Sequence, residues 1–494
     1  MPLRETAGHG KNAGDRLRWR WPAGRVLAAA AAAGLLAGVA PAAAAARGPA
    51  RPAAGARGPG PAPAGTRPVS YRGYTFRVPA DWPVVRLAAH QLTCVRFDRH
   101  AVYLGTPGAD QACPAAALGA TGALLIQPGA RGGGASAVDN PVARRITVDA
   151  PRVRVTASYA ADRQQILAIL ASASLPPPAS RAPARPRFAP AALRAWASSY
   201  TGRAFDACTA PSAQAMQAWL ADSPFRGIGI YIGGQDRACA QANLTPAWVS
   251  AQAAAGWRFI PLYVGPQISF HEVKSPATQA VSAAQDAAAQ AAQLGLGRGT
   301  PIYYDMEAYP PKGTAKALAF FSAWTQTLHS LGYRSGIYSS SLSGVADLSR
   351  DFGAPGYRMP DIIYDAWWNG VPDTVDPVIP AGAWAGHRRV HQYSGNLPRR
   401  FGGFRITIDR DYMDVRLSGG PRRTVRGHWA WAPGGLRFAQ LAAMNGTTWF
   451  RLHNPAFPGD FRLTTRYLGR HVPKGTRWWV PPHQAMSAAR GARG

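Results

Sequence analysis

From residue 196 onward, short strand-type segments alternate with helix-type segments, and this pattern constrains the fold more than any other feature of the sequence. Strands that alternate with helices are typical of an α/β fold with a parallel sheet. Eight strands over about 220 residues fit a (β/α)8 TIM-type barrel, which we predict for residues 196–418; a doubly wound open sheet is the alternative. The predicted strands are 203–209, 227–234, 257–265, 301–309, 333–340, 361–368, 389–394 and 404–411.

Two Pro-rich segments divide the rest of the chain. Residues 47–68 are of low complexity and cannot bury a core, so they are predicted to be a disordered linker, and residues 175–195 a second one. Between them, residues 69–174 contain several short β-type runs and one helix-type run, which predicts a small α+β module. Residues 419–494 are predicted to form a small basic, aromatic module.

The first 46 residues are typical of a signal peptide. Basic residues, among them Lys11 and Arg25, precede the apolar run 26–40, and Ala-rich residues up to Ala46 offer cleavage sites. The alternative is a membrane anchor, but the apolar run is shorter than the roughly 20 residues that span a bilayer. We therefore expect a secreted or cell-wall-associated protein with no membrane span after cleavage.

The chain has four cysteines, an even number that suggests two disulfides in an oxidising compartment. Their placement along the chain suggests the pairs Cys94 with Cys113 and Cys208 with Cys239, although four cysteines allow three pairings.

The net charge of +30 belongs to the flanks, because residues 196–418 carry 18 basic and 16 acidic residues. Arg-rich flanks reflect either a compositional bias or attraction to an anionic surface such as a cell wall. No nucleic-acid motif accompanies the charge, so we expect no nucleic-acid partner. We also expect no cofactor and no metal; the oligomeric state stays open.

Acidic residues gather at the predicted strand ends, where the active site of a barrel lies. Asp305 and Glu307 are two residues apart on one strand and so share a face, with Asp206 and Asp409 on other strands. Neighbouring carboxylates repel, which favours one protonated acid beside one ionised partner, as glycosidic-bond cleavage requires. The alternative is a solvated strand end or a helix cap.

Aromatic and amide side chains at the same predicted rim suit binding of sugar rings, although several aromatic residues could equally belong to the barrel core. The candidates for substrate binding are Tyr263, Tyr338, Trp367, Gln392 and Tyr393, together with Asp409 of the last predicted strand.

Six separated motifs, "FDACTAPSAQAMQAW", "GIGIYIGG", "GTPIYYDMEAY", "FFSAWTQTLHSLGYRSGIYSSS", "VHQYSG" and "GFRITIDRDYMDV", carry a family resemblance. Residues 197–418 resemble the secreted actinobacterial glycoside-hydrolase-like domain known as domain-of-unknown-function family 1906. That family is similar to the family 25 glycoside hydrolases, lysozyme-type muramidases. The resemblance implies that Glu307 is the general acid and that Asp305 and Asp206 position or stabilise. His391 stands where a muramidase often has Trp.

Residues 431–459 and 472–481 resemble a degenerate lysin motif, a βααβ module that binds N-acetylglucosamine-containing glycans; a basic extension packed on the barrel is the alternative. Two functions follow from the whole sequence. The first is acid-assisted hydrolysis of peptidoglycan or a related N-acetylhexosamine polymer. The second is non-catalytic binding of cell-wall polysaccharide in envelope maintenance, on a barrel scaffold.

Overall fold

The computed structural model of the protein describes residues 65–89, 91–180, 188–189 and 192–417, and the backbone of four strands between 430 and 464. The predicted signal peptide and most of the first linker lie outside the described residues.

The N-terminal part contains two sheets and one helix. The first two strands form an antiparallel pair. The next seven form a mixed sheet, in which the strands, numbered in chain order, lie side by side as β3-β4-β5-β8-β7-β6-β9. The helix buries Ile166, Ile169 and Leu170 in the same core as the inner residues of the sheet. These elements are β1 (Thr66–Tyr71), β2 (Tyr74–Pro79), β3 (Val84–Arg86), β4 (Ala101–Leu104), β5 (Ala123–Pro128), β6 (Ser136–Asn140), β7 (Arg145–Ala150), β8 (Val153–Ser158), α1 (Arg163–Ser172) and β9 (Ala179–Ser180).

The next eight strands close into a barrel in chain order. Five helices connect the first six of these strands. The elements are β10 (Tyr200–Asp206), α2 (Ala213–Asp222), β11 (Gly227–Gly233), α3 (Pro246–Ala255), β12 (Arg258–Tyr263), α4 (Pro276–Gln293), β13 (Pro301–Asp305), α5 (Thr314–Ser330), β14 (Arg334–Ser340), α6 (Gly344–Arg350), β15 (Ile362–Ala366), β16 (Arg388–Phe401) and β17 (Phe404–Val415), with short 3-10 helices at Leu87–Ala89, Ala195–Ser198 and Pro311–Gly313.

The predicted (β/α)8 TIM-type barrel is therefore wrong. Strands β10 to β16 run parallel, but β17 pairs antiparallel with both β16 and β10. The reason is the connection between β16 and β17, in which only Gly402 and Gly403 separate Phe401 from Phe404. A two-residue turn joins antiparallel strands, whereas a parallel crossover needs a dozen residues or more. A loop rather than a helix also joins β15 to β16 in the described chain.

The barrel strands separate two apolar cores. Residues such as Tyr303, Ile260 and Met413 pack inside the barrel, and their chain neighbours Tyr304 and Phe259 pack outside against the helices. This alternation is the period of two that a β-strand imposes. It decides which polar side chains at the strand ends face the interior.

Local sequence signals begin and end the outer helices. The Ser212 hydroxyl accepts a hydrogen bond from the Ala215 amide and caps α2, and α3 ends at Gly256 with a φ of 117°. Helix α4 buries a stripe of alanines, among them Ala280, Ala284 and Ala287, at helical spacing. Small side chains on this face let the helix approach the barrel closely.

The seven-stranded sheet contacts the barrel directly. Asn140 Nδ2 donates to Asp286 Oδ1 at 2.7 Å, and Arg144 Nη1 lies 3.0 Å from Glu272 Oε1. The disulfides Cys94–Cys113 and Cys208–Cys239 lie side by side at this contact, where the Sγ atoms of Cys94 and Cys239 are 3.8 Å apart. The two polar pairs and the contact between the two disulfides thus hold the sheet against the barrel.

The C-terminal segment has four strands in an antiparallel sheet: β18 (Ala430–Ala432), β19 (Leu436–Met444), β20 (Thr447–His453) and β21 (Asp460–Thr464). This strand order differs from the βααβ order of a lysin motif, and residues 472–481 lie outside the described residues. Among the helices of the described chain, we find none with the length and apolar character to cross a membrane.

Candidate functional site

Five acidic side chains lie at one end of the barrel, and we call Asp206, Asp305, Glu307, Asp409 and Asp411 the carboxylate cluster. Asp206 and Asp305 are the last residues of β10 and β13, and Glu307 follows two residues later. Asp206 is directly opposite Asp409 in the antiparallel pairing of β10 with β17. Inward-facing ends of three strands therefore bring these carboxyl groups together.

Asp206 is fully buried and is the best hydrogen-bonded member of the cluster. Its Oδ1 accepts from the Tyr231 hydroxyl at 2.7 Å, and its Oδ2 accepts from Gln392 Nε2 at 3.0 Å and from the Tyr364 hydroxyl at 3.2 Å. Gly229 on the next strand makes room, since a Cβ there would lie 2.4 Å from the Asp206 Cβ. Three donors thus hold one carboxylate in a fixed orientation.

Gln267 fixes the backbone that carries Asp305 and Glu307. Its Nε2 donates to the Asp305 carbonyl at 2.8 Å, and its Oε1 accepts from the Glu307 amide at 2.9 Å. Gln267 is itself fully buried, and its own amide donates to Glu272 Oε2 at 3.0 Å. The side-chain amide of Gln267 therefore fixes the backbone position of both acids.

The pKa of Glu307 is raised to about 7, first by burial and then by the charge of Asp206. Burial, Glu307 and Asp206 raise the pKa of Asp305 well above its ordinary range. Burial also raises the pKa of Asp206, but the three hydrogen bonds that it accepts favour its ionised form. The pKa of Asp206 is therefore raised on balance, with its three donors acting against the effect of burial.

The two aspartates of β17 complete the cluster. The pKa of Asp409 is raised to about 8 by burial and by Asp206, and a hydrogen bond from the Asn396 amide acts in the opposite direction. Burial and Asp206 also raise the pKa of Asp411 well above its ordinary range. Burial, assisted by the neighbouring carboxyl groups, therefore favours the protonated forms of Asp305, Asp409 and Asp411.

An exposed tryptophan borders the cluster. The Trp368 side chain is 57% exposed, and its indole Nε1 donates to Gln392 Oε1 at 2.9 Å. The same oxygen accepts from the Tyr338 hydroxyl at 3.1 Å. A Cβ on Gly395 would lie 2.0 Å from the indole, so the ring rests directly on this glycine. Trp368 is thereby held as a flat, accessible surface next to Asp206.

The structure brings together Asp206, Asp305, Glu307, Asp409, Tyr338 and Gln392 from the sequence prediction. It places three others away from the cluster. Tyr263 faces helix α4, where its hydroxyl donates to Asp286 Oδ2 at 2.9 Å. Trp367 stacks on His391 with ring centroids 6.1 Å apart, and Tyr393 lies under Arg410 at 4.9 Å. Strand alternation puts these rings on the outer side.

Sequence reasoning missed Tyr231, Tyr364 and Gln267 as parts of the site, and of the adjacent pair Trp367 and Trp368 it selected Trp367. The strand period offers a signal for two of them, because Tyr364 shares a face with the core residue Ile362 and Tyr231 shares one with Gly229. Gln267 lies in a loop and Trp368 beyond a strand end, so no periodicity predicts where they point.

The described residues give one group of possible metal ligands, Cys94, Cys113 and Cys239, whose sulfur atoms lie within 4.8 Å of one another. All three are in disulfides, so they have no thiolate to offer a metal. Chemically, the carboxylate cluster provides a proton donor, Glu307, near the carboxyl group of Asp206, which accepts three hydrogen bonds. This arrangement suits general acid catalysis on a substrate that develops positive charge.

A family comparison matches residues 217–413 with the model described as "Rv2525c-like, glycoside hydrolase-like domain". No curated protein matches the chain.

Three solved structures illustrate the similarity, each covering 43% of this chain. An uncharacterized B. stearothermophilus protein has 19% identity, a TM-score of 0.33 and 95% of its own chain covered. The Mycobacterium tuberculosis Tat-secreted protein Rv2525c in complex with L-tartrate has 14% identity, a TM-score of 0.33 and 96% covered. The modular autolysin LytC from Streptococcus pneumoniae has 13% identity, a TM-score of 0.31 and 47% covered.

The matched segment contains β11 to β16 and most of β17, and with them every member of the carboxylate cluster except Asp206. The predicted family resemblance is confirmed for this part of the chain: residues 217–413 match the model of the Rv2525c-like, glycoside hydrolase-like domain.

Proposed function

We propose that this protein hydrolyses glycosidic bonds in a cell-wall glycan, either peptidoglycan or a related N-acetylhexosamine polymer. The observation that carries the proposal is the environment of Glu307, a half-buried acid whose pKa is raised to about 7 beside the hydrogen-bonded carboxylate of Asp206. Glycosidases need a carboxylic acid that is still protonated near neutral pH and a second carboxyl group that remains ionised.

In this mechanism Glu307 donates its proton to the glycosidic oxygen as the bond to the leaving sugar breaks. Water then adds to the anomeric carbon and returns a proton to the Glu307 carboxylate. Asp206 stabilises the positive charge that develops on the sugar ring, because Tyr231, Tyr364 and Gln392 favour its ionised form. The sequence alone favoured Asp305 for the negative charge. We assign the charge to Asp206 instead, since burial and Glu307 raise the pKa of Asp305 well above its ordinary range.

The surface next to the acids supports a sugar substrate. Sugar rings present apolar C–H faces that pack on aromatic rings, and Trp368 offers such a ring at 57% exposure within reach of the cluster. Its link through Gln392 to Asp206 fixes the distance between the stacking surface and the reactive acids. We therefore propose Trp368 as a substrate-binding residue in addition to Tyr338 and Asp409.

A cell-wall substrate agrees with the signal-peptide-type N-terminus and the basic flanks of the chain. It also agrees with the Tat-secreted and autolysin proteins among the similar structures. We propose that the protein is exported and acts at the cell surface.

The test is the release of soluble fragments from purified peptidoglycan, measured together with binding of the protein to the insoluble wall. Glu307→Gln removes the acid with little change of shape, and we expect it to lower release by about 100-fold or more while wall binding is retained. Asp222→Asn alters an exposed carboxylate outside the cluster and serves as the matched control. No release by the parent, with equal wall binding by all three proteins, would instead support the non-catalytic binding function.

A further inference from the structure

A cavity of about 580 Å³ lies between the seven-stranded sheet and the outside of the barrel. We call it the interface cavity. The sheet contributes residues of β6, β7 and β8, and the barrel contributes the end of β11 and one face of α4. None of its lining residues belongs to the carboxylate cluster. Its volume is within the range of about 300–1,000 Å³ that is usual for small-molecule sites.

Three guanidinium groups line this cavity. That of Arg154 from β8 pairs with Asp149 at 3.5 Å, and the other two are those of Arg145 from β7 and Arg237 from the loop after β11. Arg145 Nη2 donates to the Arg237 carbonyl at 3.3 Å, so the two residues are in contact. Arg237 Nη1 donates to the Tyr231 carbonyl at 3.2 Å, while its buried Nε has no hydrogen-bond partner in the described chain. Within the same residues, neither the Arg145 nor the Arg237 guanidinium forms an ion pair.

One buried carboxylate on the cavity wall, that of Asp286, already has hydrogen-bond partners. Asp286 accepts hydrogen bonds from Asn140 at 2.7 Å, from Tyr263 at 2.9 Å and from Gln290 at 3.4 Å. Its charge acts on both arginines through space but does not bind either of them directly. Two cations therefore share one low-dielectric wall without a bound counter-ion from the described residues.

This arrangement costs free energy that a bound anion would recover. Burial and the neighbouring Arg237 lower the pKa of Arg145 to about 9. Burial lowers the pKa of Arg237 to about 10. Guanidinium groups form strong, paired hydrogen bonds with carboxylates and phosphates, and these bonds strengthen in a buried site.

We propose that the interface cavity binds a small polar ligand through an oxyanion group, a carboxylate or a phosphate, held between Arg145 and Arg237. The hydrogen bonds come from the guanidinium N–H groups of these two residues that face the cavity. The remaining wall mixes apolar residues with Thr147, Thr156 and Gln293, whose polar groups suit a ligand that also carries hydroxyl groups. Since sheet and barrel both build the cavity, the ligand stabilises their contact.

The experiment titrates the full-length protein with inorganic phosphate and, in a separate arm, with succinate, at constant ionic strength. Binding is measured by calorimetry and by the shift of the thermal unfolding midpoint. We expect saturable binding and a concentration-dependent rise of the midpoint, because a ligand that binds only the folded state stabilises it. A response to phosphate alone identifies a phosphate ligand, and a response to succinate alone identifies a carboxylate ligand.

Three variants make the result specific. Arg237→Gln removes one guanidinium, and Gln293→Glu adds a carboxylate of nearly the same shape to the cavity wall. Each is expected to weaken anion binding by about tenfold or more, through loss of a charge-assisted bond or through competition by the new carboxylate. Arg131→Gln makes the same charge change as Arg237→Gln at an exposed loop position and should bind like the parent.

Gln293→Glu is also expected to raise the unfolding midpoint in the absence of added anion, which separates lost binding from failed folding. The proposal is overturned if the parent shows no saturable response to either anion. It is equally overturned if all four proteins respond alike, since that result would indicate non-specific ion binding.

Discussion

At the scale of single residues, burial and the charge of Asp206 set the proton affinity of Glu307. Together they raise the pKa of Glu307 to about 7, so the acid is protonated below that pH and loses its proton above it. The proposed reaction needs the protonated form, so hydrolysis should decline as the pH rises through about 7.

Asp206→Asn removes the negative charge near Glu307 and should therefore lower the pKa of Glu307. We expect the basic limb of the pH–rate profile to move to lower pH by roughly one unit, together with a lower maximal rate. The measurement is the rate of reducing-end formation between pH 4 and 9, with Asp222→Asn as the control. A basic limb that stays in place would show that Asp206 does not act on the titrating group.

The residue pattern predicts part of the site. Asp305 and Glu307 are two apart, and the strand period puts both on one face without further information. The same period separates Tyr263 from Leu262, but it does not say which of the two faces the barrel interior. Only packing decides that Leu262 lies inside and Tyr263 against the helices.

At the scale of elements, the β16–β17 hairpin closes the barrel, and Trp219 on helix α2 connects this hairpin to the rest of the fold. The Trp219 indole is fully buried, donates to the Phe404 carbonyl at 3.1 Å and contacts the Phe401 ring at 5.0 Å. Both ends of the two-residue turn therefore rest on one side chain.

Trp219→Ala should lower the free energy of unfolding by about 3–5 kcal/mol, because it opens a large cavity and leaves a carbonyl without its donor. Trp219→Phe keeps an aromatic ring but loses the hydrogen bond, so a smaller loss is expected. Urea denaturation followed by circular dichroism measures both. Equal, small effects of the two variants would mean that the hairpin does not depend on this contact.

Two buried acids lie close together where β15 meets the following loop, Asp365 in β15 and Asp376 in the loop. Burial and Asp376 raise the pKa of Asp365 to about 9, and Asp376 Oδ2 also accepts from the Ser341 hydroxyl at 2.5 Å. An unfolded Asp has a pKa of about 3.9. Between these two values the unfolded chain loses a proton that the folded chain keeps, so stability falls as the pH rises.

Asp365→Asn removes this proton linkage. Between pH 5 and 8.5 the free energy of unfolding should fall less steeply in the variant than in the parent, by up to about 1.4 kcal/mol per pH unit. Chemical denaturation at several pH values gives the two slopes. Parallel slopes would show that Asp365 is ionised in the folded protein.

The element pattern explains why the fold class is not fully predictable. The alternation of strands and helices is visible in the sequence, but the direction of the last strand depends on a connection of two glycines. The run 389–394 stops short of β16, which extends to Phe401 through Pro398 and two arginines. Pro and Arg do not favour a strand, so the sequence pattern does not predict this hairpin.

At the scale of the whole molecule, a chain of polar contacts connects the seven-stranded sheet to the acids. Arg144, in the turn between β6 and β7, pairs with Glu272. Glu272 accepts a hydrogen bond from the backbone amide of Gln267. The Gln267 side chain in turn bonds to the backbone of Asp305 and Glu307. The sheet therefore supports the geometry of the site although it contributes no carboxylate to the cluster.

A double-mutant cycle tests this contact. Arg144→Ala and Glu272→Ala should show a coupling of about 0.5–1 kcal/mol in the free energy of unfolding, because the pair is partly buried. The exposed pair Arg154 and Asp149, 3.5 Å apart within the sheet, is the matched control, with a coupling near zero. Additive effects of the two substitutions at 144 and 272 would contradict the proposed support.

We propose above that the carboxylate cluster cleaves glycosidic bonds with Glu307 as the acid. This proposal is tested by counting new reducing ends formed on purified peptidoglycan at pH 6 by the parent and by Glu307→Gln at equal concentration and equal stability. We expect steady formation by the parent and a rate lower by about 100-fold or more in the variant. Equal rates for the two proteins, or no reducing ends from either of them, would contradict it.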